Sequence, residues 1–180
     1  MYQYVIDHFM KAYMMLSCNT LSCKVGAKTK VLDELIKMGL SKKDMYLLLG
    51  PAEVLIQLKG LKNLDEFISK WFNPIRTITA QEAMIDRTET FIVISEGKSF
   101  IEEPYAFLFI NTQPRNLEIV QEKLQGIPKI LSADTVFGPY DVICAAKAND
   151  NEDLQLIISQ IQREVPQIQG TTTAIVASLY

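Results

Sequence analysis

The amino-acid sequence predicts an α+β fold: two tandem ferredoxin-like βαββαβ units packed sheet to sheet, as in a dimeric α/β barrel. Two observations predict this fold. A glycine–proline block occurs twice, and each copy is embedded in the same order of strand and helix patterns. In addition, several strands are apolar on both faces, which indicates that a second layer covers the side of each sheet that its own helices leave open.

The internal repeat carries the first observation. Residues 50–55 read GPAEVL and residues 138–143 read GPYDVI, at an offset of 88 residues. Upstream of these blocks, the strand pattern KAYMML at 11–16 parallels YAFLFI at 105–110. The strand pattern repeats at an offset of 94 residues (105 − 11), close to that of the hairpin block. Self-similarity at a nearly constant offset is typical of a repeated structural unit. A glycine–proline pair between two strand patterns predicts a tight hairpin in each copy.

Helical spacing of apolar residues predicts two helices in each copy. The first helix is expected to close at Gly39 in copy one and at Gly126 in copy two, because glycine commonly follows the last helical turn. The second is expected to end at Pro74 and at Pro166, because proline cannot continue a helix. Each copy therefore has the order β-α-β-β-α-β.

The last strand of each copy completes this order. It is predicted at residues 79–85 in copy one and at residues 171–179 in copy two. An additional strand at residues 89–95 is expected to extend copy one, and the polar residues 96–99 are expected to link the copies.

Two strands of copy two are apolar at both side-chain parities: AFLFI at 106–110 and VICAA at 142–146. A strand that is apolar on both faces is buried on both. Helices can cover only one face of a four-stranded sheet, so the open face needs another partner. A second sheet, supplied by the other copy in the same chain, is the expected cover.

Composition and charge restrict the class of function. The 180 residues are 48% hydrophobic and 22% charged, with a net charge of −3. This composition is typical of a globular chain, whereas a general nucleic-acid binder needs an excess of lysine and arginine. No apolar run reaches the ~18 residues of a membrane span, and no signal peptide is evident. We therefore expect a cytoplasmic protein with no membrane partner.

Metal and redox sites are not favoured by the sequence. The cysteines are Cys18, Cys23 and Cys144, and the single histidine is His8. Cys18 and Cys23 lie in a loop-like stretch that lacks a second ligand pair, so we interpret them as reduced thiols and leave any role open. Cys144 lies inside an apolar strand and is expected in the core. No cofactor-binding motif is present, and no cofactor is predicted.

Five stretches of the second copy resemble one family. They are AFLFINT at 106–112, GIPKI at 126–130, GPYDVI at 138–143, VPQI at 165–168 and TTTAIV at 171–176. In order and spacing they resemble the effector-binding (RAM) domain of the Lrp/AsnC transcription regulators along residues 104–180. Residues 11–95 resemble the same domain more weakly. The predicted domains are thus a degenerate copy at 1–96 and a fuller copy at 97–180.

The resemblance implies small-molecule binding in transcription regulation, with the ligand at the second hairpin. The implied ligand-binding residues are Gly138, Tyr140, Asp141, Thr171 and Thr173. Backbone N–H groups at a glycine turn can hold a carboxylate, Asp141 can accept from an α-ammonium, and threonine hydroxyls can serve either end. The implied ligand is a free amino acid or a similar small zwitterion. The alternative is a plain hairpin, with Tyr140 for packing and the threonines as ordinary strand residues.

Departures from the family pattern change the expected partners. The usual regulator has an N-terminal helix-turn-helix, and the roughly ten residues before the first strand are too few for one. We therefore expect no direct contact with nucleic acid. The resemblance implies self-association and co-assembly with full-length Lrp/AsnC-type regulators. Copy one has Ala52 and Glu53 where copy two has Tyr140 and Asp141, so any pocket in copy one is expected to be altered or lost.

Two other classes of function stay open. Sheet-on-sheet pairs of ferredoxin-like units also occur in small oxygenases and decarboxylases, but an enzyme needs a base or nucleophile in its pocket. The sequence pairs none of Asp134, Asp141 and Glu53 with an evident partner, so an enzyme is not predicted. The other class is a purely structural partner that co-assembles with a regulator.

Overall fold

The computed structural model describes residues 10–18, 27–82 and 85–178. The strands within these ranges are β1 (Met10–Cys18), β2 (Met45–Leu49), β3 (Val54–Leu61), β4 (Ile85–Ser95), β5 (Ala106–Thr112), β6 (Ile130–Phe137), β7 (Val142–Ala146) and β8 (Ile168–Ser178). The helices are α1 (Ala27–Lys37), α2 (Leu64–Phe67), α3 (Asn73–Glu82), α4 (Leu117–Gly126) and α5 (Asn151–Glu164). A π-helical segment, Ile68–Phe72, joins α2 to α3. The predicted α+β class is confirmed.

The strands form one closed antiparallel barrel in the order β1-β3-β2-β8-β5-β7-β6-β4. Strands of the first half occur in the order β4-β1-β3-β2, and those of the second half in the order β8-β5-β7-β6. Two pairs join the halves, β2 with β8 and β4 with β6. The closed sheet agrees with the expected barrel-like arrangement, and the edges of the two halves are in addition hydrogen-bonded to each other. This pairing satisfies backbone groups that an open edge leaves exposed.

The barrel interior is an apolar core to which both halves contribute. Its buried side chains include Tyr13, Met15, Leu55 and Phe91 from the first half, and Phe107, Phe109, Ile143 and Ala174 from the second. The alternate residues of the same strands point outward, where α1 to α3 cover the first half and α4 and α5 cover the second. The predicted two-sided burial of β5 and β7 is confirmed. Each large apolar side chain buried in this way contributes about 1.5–3 kcal/mol.

Two glycines allow the halves to approach each other. A Cβ added at Gly50 would lie 2.9 Å from the Cβ of Ala174 on β8. One added at Gly138 would lie 2.7 Å from Cδ1 of Phe91 on β4. Neither glycine has a positive φ. Among the described glycines, Gly39 and Gly60 have one. The repeated glycine therefore serves close contact between the hairpin of one half and the last strand of the other.

The second helical region of the first half is longer than predicted. Pro74 is expected to end it and residues 79–85 to form a strand, but α3 continues to Glu82 and the last strand is β4. The π-helical segment explains the difference, because Asn73 N–H donates to Ile68 O, one residue further back than in an α-helix. The helical ladder is thus already rearranged where proline lacks its N–H. The additional strand predicted at 89–95 is part of β4.

The second half follows the predicted order closely. Helix α5 ends at Glu164, before Pro166, and the last strand β8 covers Ile168–Ser178. Gly39 closes α1 with a φ of 93°, as expected for a glycine that follows the last helical turn. Residues 96–99, the predicted linker, contain neither helix nor strand.

Some predictions concern residues that the structure does not describe. His8 and Cys23 lie outside the described residues, and the side chain of Cys18 is not described. Cys144 is buried, as predicted. Within the described ranges, no helix is long and apolar enough to cross a membrane. The described side chains also contain no group of three or more His, Cys, Asp or Glu that could hold a metal ion.

Candidate ligand-binding sites

The predicted site centres on the hairpin between β6 and β7. Tyr140 directs its ring into the barrel, where it lies 6.2 Å from Phe91 and 5.4 Å from Phe109, measured between ring centroids. Its hydroxyl is 3.4 Å from Oγ1 of Thr172. Gly138 is the glycine that abuts Phe91. Tyr140 and Gly138 thus contribute to the contact between the halves.

Asp141 lies half-buried at the edge of the same hairpin. Its Oδ2 accepts a hydrogen bond from the backbone N–H of Thr112 at 2.9 Å. Its own N–H donates to Ile110 O, and its carbonyl accepts from Val136 N–H, both at 2.9 Å. The carboxylate therefore holds the end of β5. Its other oxygen, Oδ1, accepts no hydrogen bond from the residues that the structure describes.

Thr171 and Thr173 lie on the outer face of β8. Side chains alternate along a strand, and the neighbouring Thr172 and Ala174 face the interior. The two outer threonines line a cavity of about 410 Å³ between β8 and the end of α5, together with Gln162.

The five predicted residues therefore do not converge on one pocket within the chain. Tyr140 faces the barrel interior, Asp141 lies in the hairpin directly before β7, and Thr171 and Thr173 line an outer cavity. The two threonines are brought together, as their spacing predicts. The strand alternation that unites them also separates them from Tyr140.

The first-half hairpin has the same backbone frame. Glu53 N–H donates to Leu16 O at 3.2 Å, and Leu48 N–H donates to Glu53 O at 2.8 Å. These bonds match those of Asp141 with Ile110 and Val136. Ala52, in the place of Tyr140, is buried in the interior core. The two hairpins differ in side chains and share their backbone geometry.

A buried polar cluster inside the barrel is not among the predicted sites. Its centre is the carboxylate of Asp134, which is fully buried. Oδ2 accepts from Lys11 Nζ at 2.6 Å and from Tyr13 OH at 2.5 Å. Oδ1 accepts from Gly97 N–H at 2.7 Å and from Ser132 Oγ at 3.3 Å. Asp134, for which the sequence offers no evident partner, is thus ion-paired across the two halves.

Burial and nearby carboxylates raise the pKa values of two tyrosines of the barrel. Burial, and then the carboxylate of Asp134, raise the pKa of Tyr13 well above its ordinary value. Gln57 Nε2 donates to the same hydroxyl at 2.9 Å. Burial, with the carboxylates of Asp44 and Glu103, raises the pKa of Tyr46 to about 12. A sequence signal for the cluster does exist: Lys11 and Gln57 are polar residues within mostly apolar strands, and Asp134 is the charged residue of β6.

Comparison with known proteins identifies the second half. A family model described as the Lrp/AsnC ligand binding domain matches residues 105–180. A hypothetical protein from Pyrococcus horikoshii is 33% identical over 42% of this chain and 89% of its own, with a TM-score of 0.38. The protein FFRP-DM1 is 32% identical over 39% of this chain and 96% of its own, with a TM-score of 0.37. This chain belongs to the Lrp/AsnC family. No curated protein sequence matches it.

The whole barrel, of which the Lrp/AsnC domain is one half, is similar to a different set of structures. The match to the siroheme decarboxylase NirDL covers 99% of this chain and 74% of the NirDL chain, with a TM-score of 0.70 and 9% sequence identity. The match to a putative monooxygenase from Lactobacillus acidophilus NCFM covers 94% of this chain and 93% of the other chain, with a TM-score of 0.54 and 8% sequence identity. At these identities the likeness shows the fold alone. The Lrp/AsnC domain therefore occurs here within a barrel architecture that some enzymes share.

The Lrp/AsnC domain contains all five predicted binding residues, and the buried polar cluster draws on both halves of the barrel. Asp134 lies within residues 105–180, whereas Lys11, Tyr13 and Gln57 lie in the first half. The family match therefore covers the hairpin and Asp134, and it does not extend to Lys11, Tyr13 and Gln57.

Proposed function

We propose that this protein binds a free amino acid or a similar small zwitterion, and acts in transcription regulation by assembly with partner proteins rather than by direct contact with DNA. The match of residues 105–180 to the Lrp/AsnC ligand binding domain carries the proposal. The net charge of −3 supports the absence of direct DNA contact, because phosphate binding requires an excess of basic side chains.

The ligand's α-ammonium group is assigned to Asp141, whose Oδ1 is available at the end of the hairpin between β6 and β7. Its carboxylate is assigned to backbone N–H groups of the hairpin near Gly138. Ile110 pairs with Val142 on one side and with Thr171 on the other, so β5 separates Asp141 from the threonines. Two strand spacings amount to about 10 Å, which is longer than the head group of an amino acid. Thr171 and Thr173 would therefore complete the site from a second copy of the chain.

The division into two related domains, 1–96 and 97–180, belongs to the same proposal. The matching backbone hydrogen bonds of the two hairpins and the matching contacts of Gly50 and Gly138 support it. The first copy keeps the frame and lacks the tyrosine and aspartate, so it is the degenerate one. The fused pair is expected to associate further, at least into a two-fold dimer, because closed two-fold contacts are the commonest form of assembly.

A thermal-shift screen against the twenty amino acids tests the ligand class. A ligand present at about a hundred times its Kd stabilises a folded protein by about 2.7 kcal/mol, which is easily detected. If none of the twenty amino acids stabilises the protein, the proposal of an amino-acid ligand is contradicted.

Calorimetry on two single variants tests the site. Asp141→Ala should weaken binding about ten- to a hundredfold, because it removes a charge-assisted hydrogen bond worth about 1.5–3 kcal/mol. Glu53→Ala is the matched control at the same backbone position of the first hairpin and should change the affinity little. Equal losses would assign binding to both copies, and unchanged binding in Asp141→Ala would place the site elsewhere.

Two alternatives remain as candidates. An enzyme is favoured by one observation, the buried ion pair between Lys11 and Asp134 inside a barrel that NirDL and the putative monooxygenase share in fold. A purely structural partner of full-length Lrp/AsnC-type regulators would bind those proteins with no ligand present. Co-purification with a full-length regulator in the absence of amino acids would favour the structural role.

A further inference from the structure

We propose a second ligand site at the mouth of the barrel interior, for a small carboxylic acid that carries a hydroxyl or amino donor next to its carboxylate. Lys11 and Gln57 form the inner wall of a cavity there of about 320 Å³. Its other lining residues are Lys59, Gly60, Glu96, Ser99 and Phe100. The site shares no residue with the hairpin site and is independent of the function proposed for that hairpin.

The first observation is an unpaired acceptor. Gln57 is only 1% exposed, and its Oε1 is a buried oxygen without a hydrogen-bond partner among the described residues. The amide orientation follows from donor and acceptor chemistry. Tyr13 gives its single hydroxyl proton to Asp134, so its oxygen can only accept, and Nε2 is the donor that Gln57 offers. Oε1 is therefore left free, and a ligand N–H or O–H that reaches it removes the cost of an unsatisfied acceptor.

The second observation is a set of available donors on Lys11. Its ammonium group has three N–H bonds, and Asp134 is the acceptor that the described residues provide for it, at 2.6 Å. The side chain is only 9% exposed, and it lines the same cavity as Gln57. Its remaining N–H bonds suit a carboxylate oxygen, as charge-assisted hydrogen bonds. Lys11 and Gln57 together thus suit a small molecule that carries both an acceptor and a donor.

The backbone positions these groups at the cavity. The pairing of β1 with β3 shifts register between Met10 and Ala12, where Lys11 faces two residues of β3, Lys59 and Gly60. Gly60 has a φ of 68°, a left-handed conformation that glycine adopts without strain. This is a β-bulge, a feature found at barrel rims and beside active sites, where it redirects side chains.

The barrel itself does not require polar residues at this place. The repeat relates Tyr13 to Phe107, Gln57 to Ala145 and Asp134 to Tyr46. In that related place Tyr46 packs edge-on against Phe107, with ring centroids 4.8 Å apart. Aromatic side chains therefore fill one of the two related places in the barrel, and a polar cluster with an unpaired acceptor fills the other. Such a departure from apolar packing is expected at a functional site.

The size and lining of the cavity restrict the ligand to a small metabolite. A volume of about 320 Å³ lies at the low end for small-molecule sites. Phe100, half-buried directly after the linker, adds an aromatic side chain to the lining of the cavity. A 2-hydroxy acid or 2-amino acid with a modest apolar side chain meets these requirements.

Calorimetry on the full chain with two acids that differ by one hydroxyl tests the proposal. The probes are 3-phenyllactate, which has a hydroxyl beside its carboxylate, and 3-phenylpropionate, which lacks it. The wild-type chain should bind 3-phenyllactate about ten- to a hundredfold more tightly, because only this acid can donate to Gln57 Oε1. Equal affinities, or binding of neither acid, would overturn the proposal.

Three variants identify the groups responsible. Gln57→Leu should reduce the preference for the hydroxy acid to about twofold or less, since the acceptor is gone. Lys11→Met should weaken both acids, whereas Lys98→Met should weaken neither, because Lys98 donates to Gln125 O outside the cavity. A preference unchanged in Gln57→Leu would contradict the assignment. If circular dichroism shows that a variant is unfolded, the wild-type comparison of the two acids still decides.

Discussion

Asp134 links three segments of the chain through one side chain. It accepts hydrogen bonds from β1 through Lys11 and Tyr13, from the linker through Gly97, and from its own strand through Ser132. Burial of a carboxylate is costly unless it is paired and hydrogen-bonded, and all four contacts reduce that cost. The residue therefore connects the two halves and the segment between them.

The buried phenols predict a loss of stability at alkaline pH. Tyr13 and Tyr46 have pKa values above the ordinary value of 10, and that of Tyr46 is about 12. Between pH 10 and 12 the unfolded chain has therefore lost phenolic protons that the folded chain keeps. The free energy of unfolding should fall as the pH rises, by up to about 1.4 kcal/mol per pH unit for each phenol.

Urea denaturation at a series of pH values between 8 and 12 measures this dependence. Tyr13→Phe and Tyr46→Phe should each make the decline above pH 10 less steep, because each removes one such group. Slopes rather than absolute stabilities are compared, since Tyr13→Phe also removes the hydrogen bond to Asp134. A decline of the same steepness in both variants would rule out these tyrosines as its cause.

At the level of elements, the two glycine hairpins are the parts that bring the halves together. Each hairpin belongs to one half, and its glycine lies against the last strand of the other half, at Ala174 for Gly50 and at Phe91 for Gly138. Both copies of the repeat have glycine at this position, because a side chain would not fit at the contact. A packing requirement between elements, rather than turn geometry, accounts for it.

Gly138→Ala should therefore destabilise the protein by about 1–3 kcal/mol, the usual cost of overpacking a core. The added methyl group would lie 2.7 Å from the buried ring of Phe91 and 3.0 Å from Thr90 O. Gly126→Ala is the matched control, because a Cβ there has no neighbour within 4 Å and alanine favours the helical conformation. Thermal unfolding compares the two variants, and equal melting temperatures would contradict the packing explanation.

For the whole molecule, closure of the barrel makes the halves mutually dependent. Each half alone would leave two strand edges unpaired and one apolar sheet face uncovered. The second half would expose β6 and β8 as edges, with Phe107 and Phe109 on the uncovered face. Exposed edges and apolar faces of this kind promote association.

Residues 97–180 produced alone should consequently form a dimer in which a second copy replaces the first half. The copies would pair β6 of one chain with β8 of the other, by analogy with the observed pairs of β4 with β6 and β2 with β8. Light scattering coupled to size-exclusion chromatography measures the mass, with circular dichroism as the control for folding. A folded monomer would show that closure is not needed for stability.

Much of the architecture can be predicted from local patterns. The order of strands and helices in the second half, both hairpins, the Gly39 helix end and the burial of Cys144 follow from periodicity and turn residues, because those depend on neighbours in sequence. The π-helical segment before Pro74 is an exception: proline rules describe a regular helix, and the local rearrangement lets α3 continue to Glu82.

The sequence by itself determined the α+β class, the two-sided burial of β5 and β7, and the membership of residues 105–180 in the Lrp/AsnC family. Only the tertiary structure decided that β2 pairs with β8 and β4 with β6, that Tyr140 and Thr171 face opposite sides of the barrel, and that Asp134 pairs with Lys11, 123 residues away. The alternation of apolar and polar residues along a strand predicts which face of the sheet each side chain is on, but it does not predict which strand pairs with it. Edge pairing and register, which are set by contacts distant in sequence, decide which faces meet.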